Sequence, residues 1–369
     1  MRVQTLTLQH FRNYQDLSLE LEDGLNILVG HNGQGKTNIV EAIALTAYLK
    51  SFRVSSLNHL IHFDEGFYRI VEEAVDKAGI KNTITHFFGK HNGKLKKEFR
   101  LNDVPKRPQD LFGVVRVVLF SPEQLNLLLL GPEYRRRHLN FLVLQLRPSL
   151  WNTLLRYAEI LRHRSALLYQ VATGRAAPDE LEYWDDQLIE HGTAILEARK
   201  SATDALNETL QDHFAKIAFE KSETCQLRYE DGLGLWRTEG VITREAFKEA
   251  LLRARPRELE KKSTLVGPHR DNFSFLLNGK DVSRYGSRGE LRTAVLALKF
   301  AERDALEKEE KPILLLDDVM SELDSSRRRV ILNLTKGYQT VITSSEKHPA
   351  SEKKNAALFA VENSKVTRL

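Results

Sequence analysis

The stretch Leu25-Asn26-Ile27-Leu28-Val29-Gly30-His31-Asn32-Gly33-Gln34-Gly35-Lys36-Thr37 decides the fold of this chain. Its first five residues predict a buried strand, and from Asn38 onwards the apolar residues recur four apart, as on a helix face. Between them lies G-x-x-x-x-G-K-[ST], a loop whose glycines let backbone N–H groups surround phosphate oxygens at a helix N-terminus. We expect Lys36 to reach the outer phosphates of a nucleotide and the Thr37 hydroxyl to bind Mg²⁺. The candidate nucleotide-binding residues of this loop are Gly30, His31, Asn32, Gly33, Gln34, Gly35, Lys36 and Thr37.

A second apolar run ends in two carboxylates. Residues Ile313 to Leu316 predict a buried strand, and Asp317 and Asp318 follow it directly. This position places both carboxylates at the C-terminal edge of a sheet, where we expect Asp317 to hold Mg²⁺ or its water. Asp318 could orient or deprotonate the attacking water. Together with the phosphate loop, the pair predicts an ATPase whose catalytic residues are Lys36 and Asp318.

The segment Ser287-Arg288-Gly289-Glu290 opens a long amphipathic helix. A serine followed three residues later by a glutamate is typical of a capping box, which is a purely structural role. The functional alternative is that Ser287 and the Gly289 backbone form a second anion-binding helix N-terminus. The spacing leaves both interpretations open.

The composition is that of an ordinary globular protein. The chain has 369 residues, of which 41% are hydrophobic and 28% charged, so wholesale disorder is excluded. No apolar run is long enough to span a membrane, and residues 1–10 lack the apolar core of a signal peptide. A single cysteine, Cys225, excludes a disulfide framework. We expect a soluble cytoplasmic protein without a membrane partner, and the net charge of +5 permits a nucleic-acid partner without proving one.

The residue pattern changes twice along the chain. Alternating apolar residues predict strands in the first thirty residues, between about 68 and 119, and again from 273, whereas about 133–262 is mostly helical in pattern. The simplest arrangement is an α/β lobe built from residues 1–120 and 263–369. Residues 121–262 would then form an inserted, mainly helical second lobe.

The order of these motifs resembles the ABC-type ATPases of chromosome maintenance, namely SMC, Rad50 and RecF proteins. The shared order is phosphate loop, insertion, Ser287 segment, Asp-Asp strand, and then Ser321-Glu322-Leu323-Asp324. SMC and Rad50 proteins carry hundreds of coiled-coil residues in the insertion, for which this chain has no room. The specific resemblance is to the RecF family of bacterial recombination-mediator ATPases. It rests on four further segments: Phe11-Arg12-Asn13-Tyr14, Phe120-Ser121-Pro122-Glu123, Gly131 to Arg137, and Leu265 to Asp271.

The resemblance implies a fold and residue roles that spacing does not reveal. The fold would be an α/β ABC-type P-loop ATPase domain similar to an SMC or Rad50 head. Arg12 and Asn13 would lie near the base or ribose of the nucleotide. The residues that would act at a dimer interface are Ser287, Gly289 and Glu290, on the γ-phosphate bound to the partner subunit, and Ser321 and Asp324, in the interface loop.

The same resemblance implies cofactors and partners. These are ATP and Mg²⁺, an ATP-dependent homodimer, double-stranded DNA near single-strand gaps or junctions, and RecR with RecO, which help to load RecA. Two positions depart from the ABC pattern. Asp318 stands where a glutamate is usual, which suits slow hydrolysis that serves as a switch. Thr343-Ser344-Ser345 stands where many ABC proteins have a histidine.

Two basic stretches are candidates for DNA contacts, because Lys and Arg contacts to phosphates give sequence-independent binding. Solvated surface is the alternative interpretation for each. Aromatic residues that could stack on bases are sparse there, which favours contacts to the backbone of a duplex or junction. The candidates are Lys90, Lys94, Lys96 and Lys97, which flank the turn-forming pair Asn92-Gly93, and Arg135, Arg136 and Arg137.

Two other functions compete with a DNA-repair ATPase. A P-loop kinase would share the phosphate loop but leaves the Ser287 and Ser321–Asp324 segments without a role. A small SMC-like structural or defence ATPase would share every motif and differ in its independence from RecR.

Overall fold

The computed structural model describes residues 1–91, 94–219, 223–345 and 356–369. The chain divides into two compact units. The first unit comprises Met1–Gln124 and Leu296–Leu369, and the second unit comprises Leu125–Val295.

In chain order, the strands and α-helices of the described residues are β1 (Arg2–Phe11), β2 (Tyr14–Glu20), β3 (Leu25–Val29), α1 (Lys36–Tyr48), β4 (Phe67–Val75), β5 (Lys81–His91), β6 (Lys94–Leu101), β7 (Val104–Lys106), β8 (Val117–Phe120), α2 (Asn126–Leu129), α3 (Pro132–Leu146), α4 (Leu150–Ala172), α5 (Leu181–Ala218), β9 (Cys225–Glu230), α6 (Arg244–Lys261), β10 (Asn272–Leu277), β11 (Lys280–Asp281), α7 (Val282–Tyr285), α8 (Arg288–Glu307), β12 (Ile313–Leu316), α9 (Ser325–Leu334), β13 (Thr340–Ser344), β14 (Ala356–Glu362) and β15 (Lys365–Arg368).

The first sheet of the first unit has the strand order β2-β1-β4-β5-β6-β7 and is antiparallel throughout. Successive side chains of a strand point to opposite faces, so the alternation read from the sequence becomes alternate burial. In β2, Leu17 and Leu19 are buried, whereas Ser18 and Glu20 are exposed. The strands predicted for the first thirty residues are confirmed, and β1 and β2 pair as an antiparallel hairpin.

The second sheet of the first unit carries the two chemical motifs. Its order is β15-β14-β3-β13-β12-β8, and the five strands from β14 to β8 run parallel. Every residue of β8 and β12 is buried, as expected for parallel strands covered on both faces. Leu316 is in register with Ile342, and Thr343 is in register with Leu28. The ends of β3, β12 and β13 therefore meet at one edge of the sheet.

The second unit contains helices α2 to α7, the first part of α8, and a small sheet of order β11-β10-β9. The sequence pattern indicated helices through about residue 262, and β9 is a strand that this interpretation missed. Strand β9 pairs along its whole length with β10, from Cys225 opposite Leu277 to Glu230 opposite Asn272. This pairing ties residues after 262 to the second unit. The unit boundary therefore falls at residues 295 and 296, not at 262 and 263.

A buried ionic cluster also attaches the segment after α6 to the second unit. Arg164 of α4 is 0% exposed. Its guanidinium donates to Asp185 Oδ1 at 2.7 Å, to Glu258 Oε2 at 2.6 Å and to Thr264 Oγ1 at 2.8 Å. Glu258 Oε1 accepts a further hydrogen bond from the Leu265 amide at 2.8 Å. Buried charges need such paired partners, and this set holds residues 264 and 265 against α4 and α6.

Helices α4 and α5 of the second unit are long, but their composition is amphipathic rather than apolar throughout. Within the described ranges of the whole chain, no helix combines the length and the apolar character that a bilayer crossing requires.

Candidate functional site

The phosphate loop connects β3 to the first residue of α1, Lys36, as the sequence predicts. Gly35 has a φ of +112°, and a Cβ on it would lie 2.5 Å from Asn13 Nδ2. A Cβ on Gly30 would lie 2.1 Å from the carbonyl oxygen of Val361. Both glycines are therefore required by close approach of neighbouring groups, and at Gly35 also by the left-handed backbone.

The side chain of Lys36 lies against this loop and is 8% exposed. Its ammonium donates hydrogen bonds to the carbonyl oxygens of Gly30 and His31, the latter at 2.9 Å. Burial lowers the pKa of Lys36, and this effect outweighs the nearby carboxylates of Asp318 and Asp317, which raise it. The cation thus lies between the loop and both aspartates.

Asp317 is buried at the end of β12 and accepts two hydroxyl hydrogen bonds on one oxygen. Thr37 Oγ1 donates to Asp317 Oδ1 at 2.9 Å, and Thr343 Oγ1 donates to the same atom at 2.8 Å. Burial raises the pKa of Asp317, whereas the two hydroxyl groups oppose that rise. A carboxylate beside a threonine hydroxyl is an all-oxygen donor set, and such donors are the ones that Mg²⁺ prefers. The residues present therefore fit this cation.

Asp318 occupies the next position with a φ of 52°, in the left-handed region. Its amide donates to Thr343 Oγ1 at 2.9 Å, and its carbonyl accepts from Ser321 Oγ at 2.7 Å. Thr343 therefore links the two aspartates through one hydroxyl group. No sequence motif predicts this role for residue 343, which stands where many ABC proteins have a histidine.

The residues of the expected interface loop also have local partners. Ser321 bonds to the Asp318 carbonyl, as described above. Asp324 caps α9, because its Oδ1 accepts a hydrogen bond from the Arg327 amide at 2.9 Å. The side chains of Ser321 and Asp324 are both exposed, so they remain accessible to a second subunit despite these local bonds.

Arg12 is committed to an ion pair with a residue that the sequence analysis missed. Its guanidinium donates to both oxygens of Glu41 at 2.9 Å each. Glu41 is 0% exposed and also accepts from Ser51 Oγ at 2.5 Å and from Arg53 at 3.4 Å. Arg12 therefore connects the β1–β2 turn to α1. This is a positioning role in addition to the expected one near the base or ribose of the nucleotide. A charged residue at 41 within an otherwise mainly apolar helix was the signal for this pair.

Asn13 braces the phosphate loop itself. Its Nδ2 donates to the Gln34 carbonyl at 3.1 Å and to Ser364 Oγ at 2.8 Å. Its Oδ1 accepts from Asn38 Nδ2 at 2.6 Å. The loop also meets the β14–β15 turn, since the Asn363 amide donates to Gln34 Oε1 at 2.6 Å. Residues 13, 363 and 364 thus shape the loop from outside it.

Ser287 and Glu290 form the capping box that their spacing predicts. The Ser287 amide donates to Glu290 Oε2 at 2.6 Å, and the Glu290 amide donates to Ser287 Oγ at 3.2 Å. Ser287 and Gly289 are nevertheless exposed. The capping box is therefore confirmed. The N-terminus of α8 is also exposed, so an anion has access to it.

The four candidate lysines of the β5–β6 hairpin do not share one face. Pairing of Lys90 with Leu95 and of Phe88 with Lys97 puts Lys90 and Lys97 on one face, and places Lys94 and Lys96 on the other. All four are exposed, but Lys96 forms an ion pair with Glu98.

Lys97 lies over the Phe99 ring at 5.0 Å. Partial desolvation of its ammonium group against the hairpin, followed by the nearby charge of Lys50, lowers the pKa of Lys97. Lys50 is therefore a basic neighbour that the sequence did not reveal. The predicted turn at Asn92-Gly93 lies outside the described residues.

Two of the three candidate arginines of α3 face into the second unit. Arg135 donates to Asn272 Oδ1 at 2.6 Å and to the carbonyls that end α2, and Arg136 donates to the Asp271 carbonyl at 2.9 Å. Arg137 is exposed, with its guanidinium 5.6 Å from the Phe141 ring centre. Arg135 and Arg136 are therefore half-buried with acceptors inside the second unit, and Arg137 is the most exposed of the three candidates for DNA contacts.

The sequence matches the family described as "RecF/RecN/SMC N terminal domain" over residues 2–367. "DNA replication and repair protein RecF" of Lachnoclostridium phytofermentans is 38% identical over 348 residues, which cover 93% of this chain and 92% of that protein. The protein of the same name from Heliobacterium modesticaldum is 36% identical over 375 residues, covering 100% of this chain and 99% of that protein.

Solved structures agree with this assignment. The structure of the "recombination mediator protein RecF-ATP in RecFOR pathway" has a TM-score of 0.89 at 31% identity, and the match covers 100% of this chain and 97% of that one. The Smc head domain of Pyrococcus furiosus has a TM-score of 0.56 at 15% identity over 100% and 96% of the two chains, which shows a common fold alone. The predicted ABC-type head fold is thereby confirmed. With its family match, its curated relatives and its structural neighbours all in agreement, the chain belongs to the RecF family.

Proposed function

We propose that this chain is an ATP-binding switch protein of recombinational repair and replication-fork maintenance. It dimerises when ATP binds, holds double-stranded DNA near single-strand gaps or junctions, and hydrolyses ATP slowly to reset. In this function it acts with RecR and RecO in the loading of RecA, in the cytoplasm where the chromosome lies.

One observation carries the nucleotide part of the proposal. Thr37 follows the phosphate loop, Asp317 ends a different strand 280 residues later, and a direct hydrogen bond joins their side chains. In P-loop ATPases these two residue types share one Mg²⁺ ion, which neutralises charge on the phosphates when bound. The pairing of hydroxyl and carboxylate at the mouth of the loop supports that use.

The remaining residues of the site have roles that follow from their contacts. The Lys36 ammonium would exchange its two carbonyl partners for phosphate oxygens, which accept stronger, charge-assisted hydrogen bonds. Asp317 and Thr37 would hold the metal ion. Asp318, half-buried and adjacent, is the candidate for orienting the water that attacks, and its short side chain suits a slow reaction.

Dimerisation is proposed through the exposed N-terminus of α8. Ser287 and the Gly289 backbone would meet the γ-phosphate bound to a second subunit, because a helix N-terminus favours negative charge. Glu290 would keep its role in the cap, and Ser321 and Asp324 would line the same interface. A ligand held only in the dimer stabilises the dimer by mass action.

DNA binding is proposed for the exposed cations. Lys90, Lys94 and Lys97 remain available on the hairpin, and Arg137 is exposed in the second unit. Contacts of this kind give binding without sequence preference and with strong salt dependence.

The test is calorimetry of ATP binding with Lys36→Ala. Removal of the ammonium from the loop should abolish measurable binding while the melting temperature changes little. Lys311→Ala, which removes an exposed lysine of the same unit, is the matched control. Unchanged affinity in Lys36→Ala would show that the loop is not the nucleotide site. The affinity for ATP should depend on Mg²⁺ both in the wild type and in Lys311→Ala.

A further inference from the structure

The second unit contains a pocket of about 390 Å³ that has no part in the site described above. Aliphatic side chains of Leu233, Leu265 and Val266 form part of its wall, and the small residue Ala254 of α6 forms another part. Its volume lies in the range of small-ligand pockets, roughly 300–1,000 Å³.

Three arginines line the same pocket: Arg253 and Arg257 from α6, and Arg270 from the segment before β10. Arg253 approaches Glu249 at 3.6 Å, and Arg270 donates to the Thr264 carbonyl at 3.3 Å. Arg257 has neither a hydrogen-bond nor an ion-pair partner among the residues that the structure describes. A guanidinium group has five N–H donors, so most donors of these three groups are free for a ligand.

The wall that carries Arg270 is firmly held. Thr264 and Leu265 are bonded to the buried pair of Arg164 and Glu258, as described for the second unit. His269 Nε2 also lies 3.0 Å from the Thr264 carbonyl. The pocket is therefore built on a fixed segment, and its arginines are presented from two sides.

We propose that this pocket binds a nucleoside phosphate. Guanidinium groups bind phosphate oxygens in pairs and stack on flat rings, and the aliphatic wall suits the body of a base. Guanidinium groups bind carboxylates as well as phosphates, but only a ligand with a flat ring also uses their stacking faces and the aliphatic wall, which favours a nucleotide over an acidic peptide. The bases of an intact duplex are stacked inside it and cannot enter, so the ligand is an unpaired nucleotide.

The nucleotide comes either from the unpaired part of a bound DNA strand or from solution. For the first source, this inference rests on the proposed function. The two sources are distinguished by binding measurements on wild type, Arg257→Ala and Ala254→Phe, the last of which fills the pocket and keeps every charge. Arg244→Ala, an exposed arginine on the same helix outside the pocket, is the matched control.

In the DNA arm, fluorescence anisotropy compares a blunt duplex with the same duplex carrying an unpaired oligothymidine extension. Wild type and Arg244→Ala should bind the extended duplex roughly tenfold more tightly, within the range known for one stacked base. Arg257→Ala and Ala254→Phe should lose that difference and keep the affinity for the blunt duplex. An equal loss for both DNAs would overturn the proposal, because the arginines would then serve only as general basic surface.

In the second arm, calorimetry measures dAMP binding in the Lys36→Ala background, where the phosphate loop is disabled. Binding that disappears with Arg257→Ala and Ala254→Phe identifies a free nucleotide as the ligand. The proposal is overturned if Lys36→Ala gives no dAMP signal and wild type shows no preference for the extended duplex. The proposal is also overturned if a hexaglutamate peptide binds in a manner that depends on Arg257, while binding of dAMP and of the extended duplex does not depend on Arg257. Failure of wild type to bind any DNA refutes the proposed function instead, and the dAMP arm still tests the pocket.

Discussion

Substitution of Thr343 by valine tests whether one hydroxyl group organises both aspartates of the site. Thr343 Oγ1 donates to Asp317 Oδ1 and accepts from the Asp318 amide. Valine has nearly the same shape, so the strand should fold as before while both bonds are lost. A hydrogen bond to a charged group contributes about 1.5–3 kcal/mol, so its loss should lower the affinity for Mg²⁺-ATP by at most roughly 10- to 150-fold.

The loss should depend on pH. Burial already raises the pKa of Asp317, and the hydroxyl groups of Thr343 and Thr37 oppose that rise. Without Thr343 the pKa of Asp317 rises further, so the carboxyl group takes up its proton at a higher pH. A protonated Asp317 cannot hold a cation. The defect in Thr343→Val should therefore be larger at mildly acidic pH than at mildly alkaline pH.

Calorimetry of Mg²⁺-dependent ATP binding and a turnover assay across that pH range measure both effects. Thr340→Val is the matched control, because Thr340 lies in the same strand and its hydroxyl donates to the Tyr338 carbonyl instead. Thr343→Ser should restore most of the affinity. If Thr343→Val binds within twofold of wild type at every pH, the hydroxyl group does not organise the site and the reasoning is refuted.

Three further predictions concern other parts of the chain. Asp318→Asn should bind ATP and accumulate as an ATP-bound dimer without turnover, since a carboxamide keeps the shape but cannot take a proton; turnover at the wild-type rate would contradict this division of labour. Ser287→Asp keeps a capping side chain but brings negative charge to the α8 N-terminus, so it should preserve the melting temperature and abolish ATP-dependent dimerisation in light scattering; a normal dimer would leave Ser287 as a cap only. Glu72 is fully buried, and burial raises its pKa from 4.5 to about 8, so the folded protein keeps a proton that the unfolded chain releases. Stability should fall as the pH rises between those two values, and Glu72→Gln should remove that fall, with a gain of at most roughly 5 kcal/mol at about 1.4 kcal/mol per pH unit; melting curves that differ equally at all pH values would count against it.

The positions of the phosphate loop and of Asp317 could be predicted from the sequence because each motif is local. A strand, a glycine loop and a helix start within thirteen residues fix the position of Lys36 and Thr37. The apolar run before Asp317 fixes that carboxylate at a sheet edge. Parallel strands end at a common edge, so the meeting of Thr37 with Asp317 across 280 residues follows from the two motifs together.

Other features depend on tertiary pairing and could not be read from local patterns. The faces of β5 and β6 can be matched only once the register between the two strands is known, and this register separates Lys90 from Lys94 across the sheet. Arg135 and Arg136 look like a basic surface in sequence, but the ends of α2 and β10 offer them acceptors. The boundary of the second unit differs from the predicted one because β9, a short strand in a helical stretch, pairs with residues 42 to 52 positions later.

The bracing of the phosphate loop has a consequence for synthesis of the chain on the ribosome. The Val361 carbonyl lies against Gly30. Gln34 is hydrogen-bonded to Asn363, and Asn13 is hydrogen-bonded to Ser364. The strand that leads into the loop also pairs with β14. A nascent chain that already contains every residue of the loop still lacks these contacts until residue 364 has been translated. Products of interrupted translation that end before residue 364 should therefore bind nucleotide poorly, because the loop lacks these contacts.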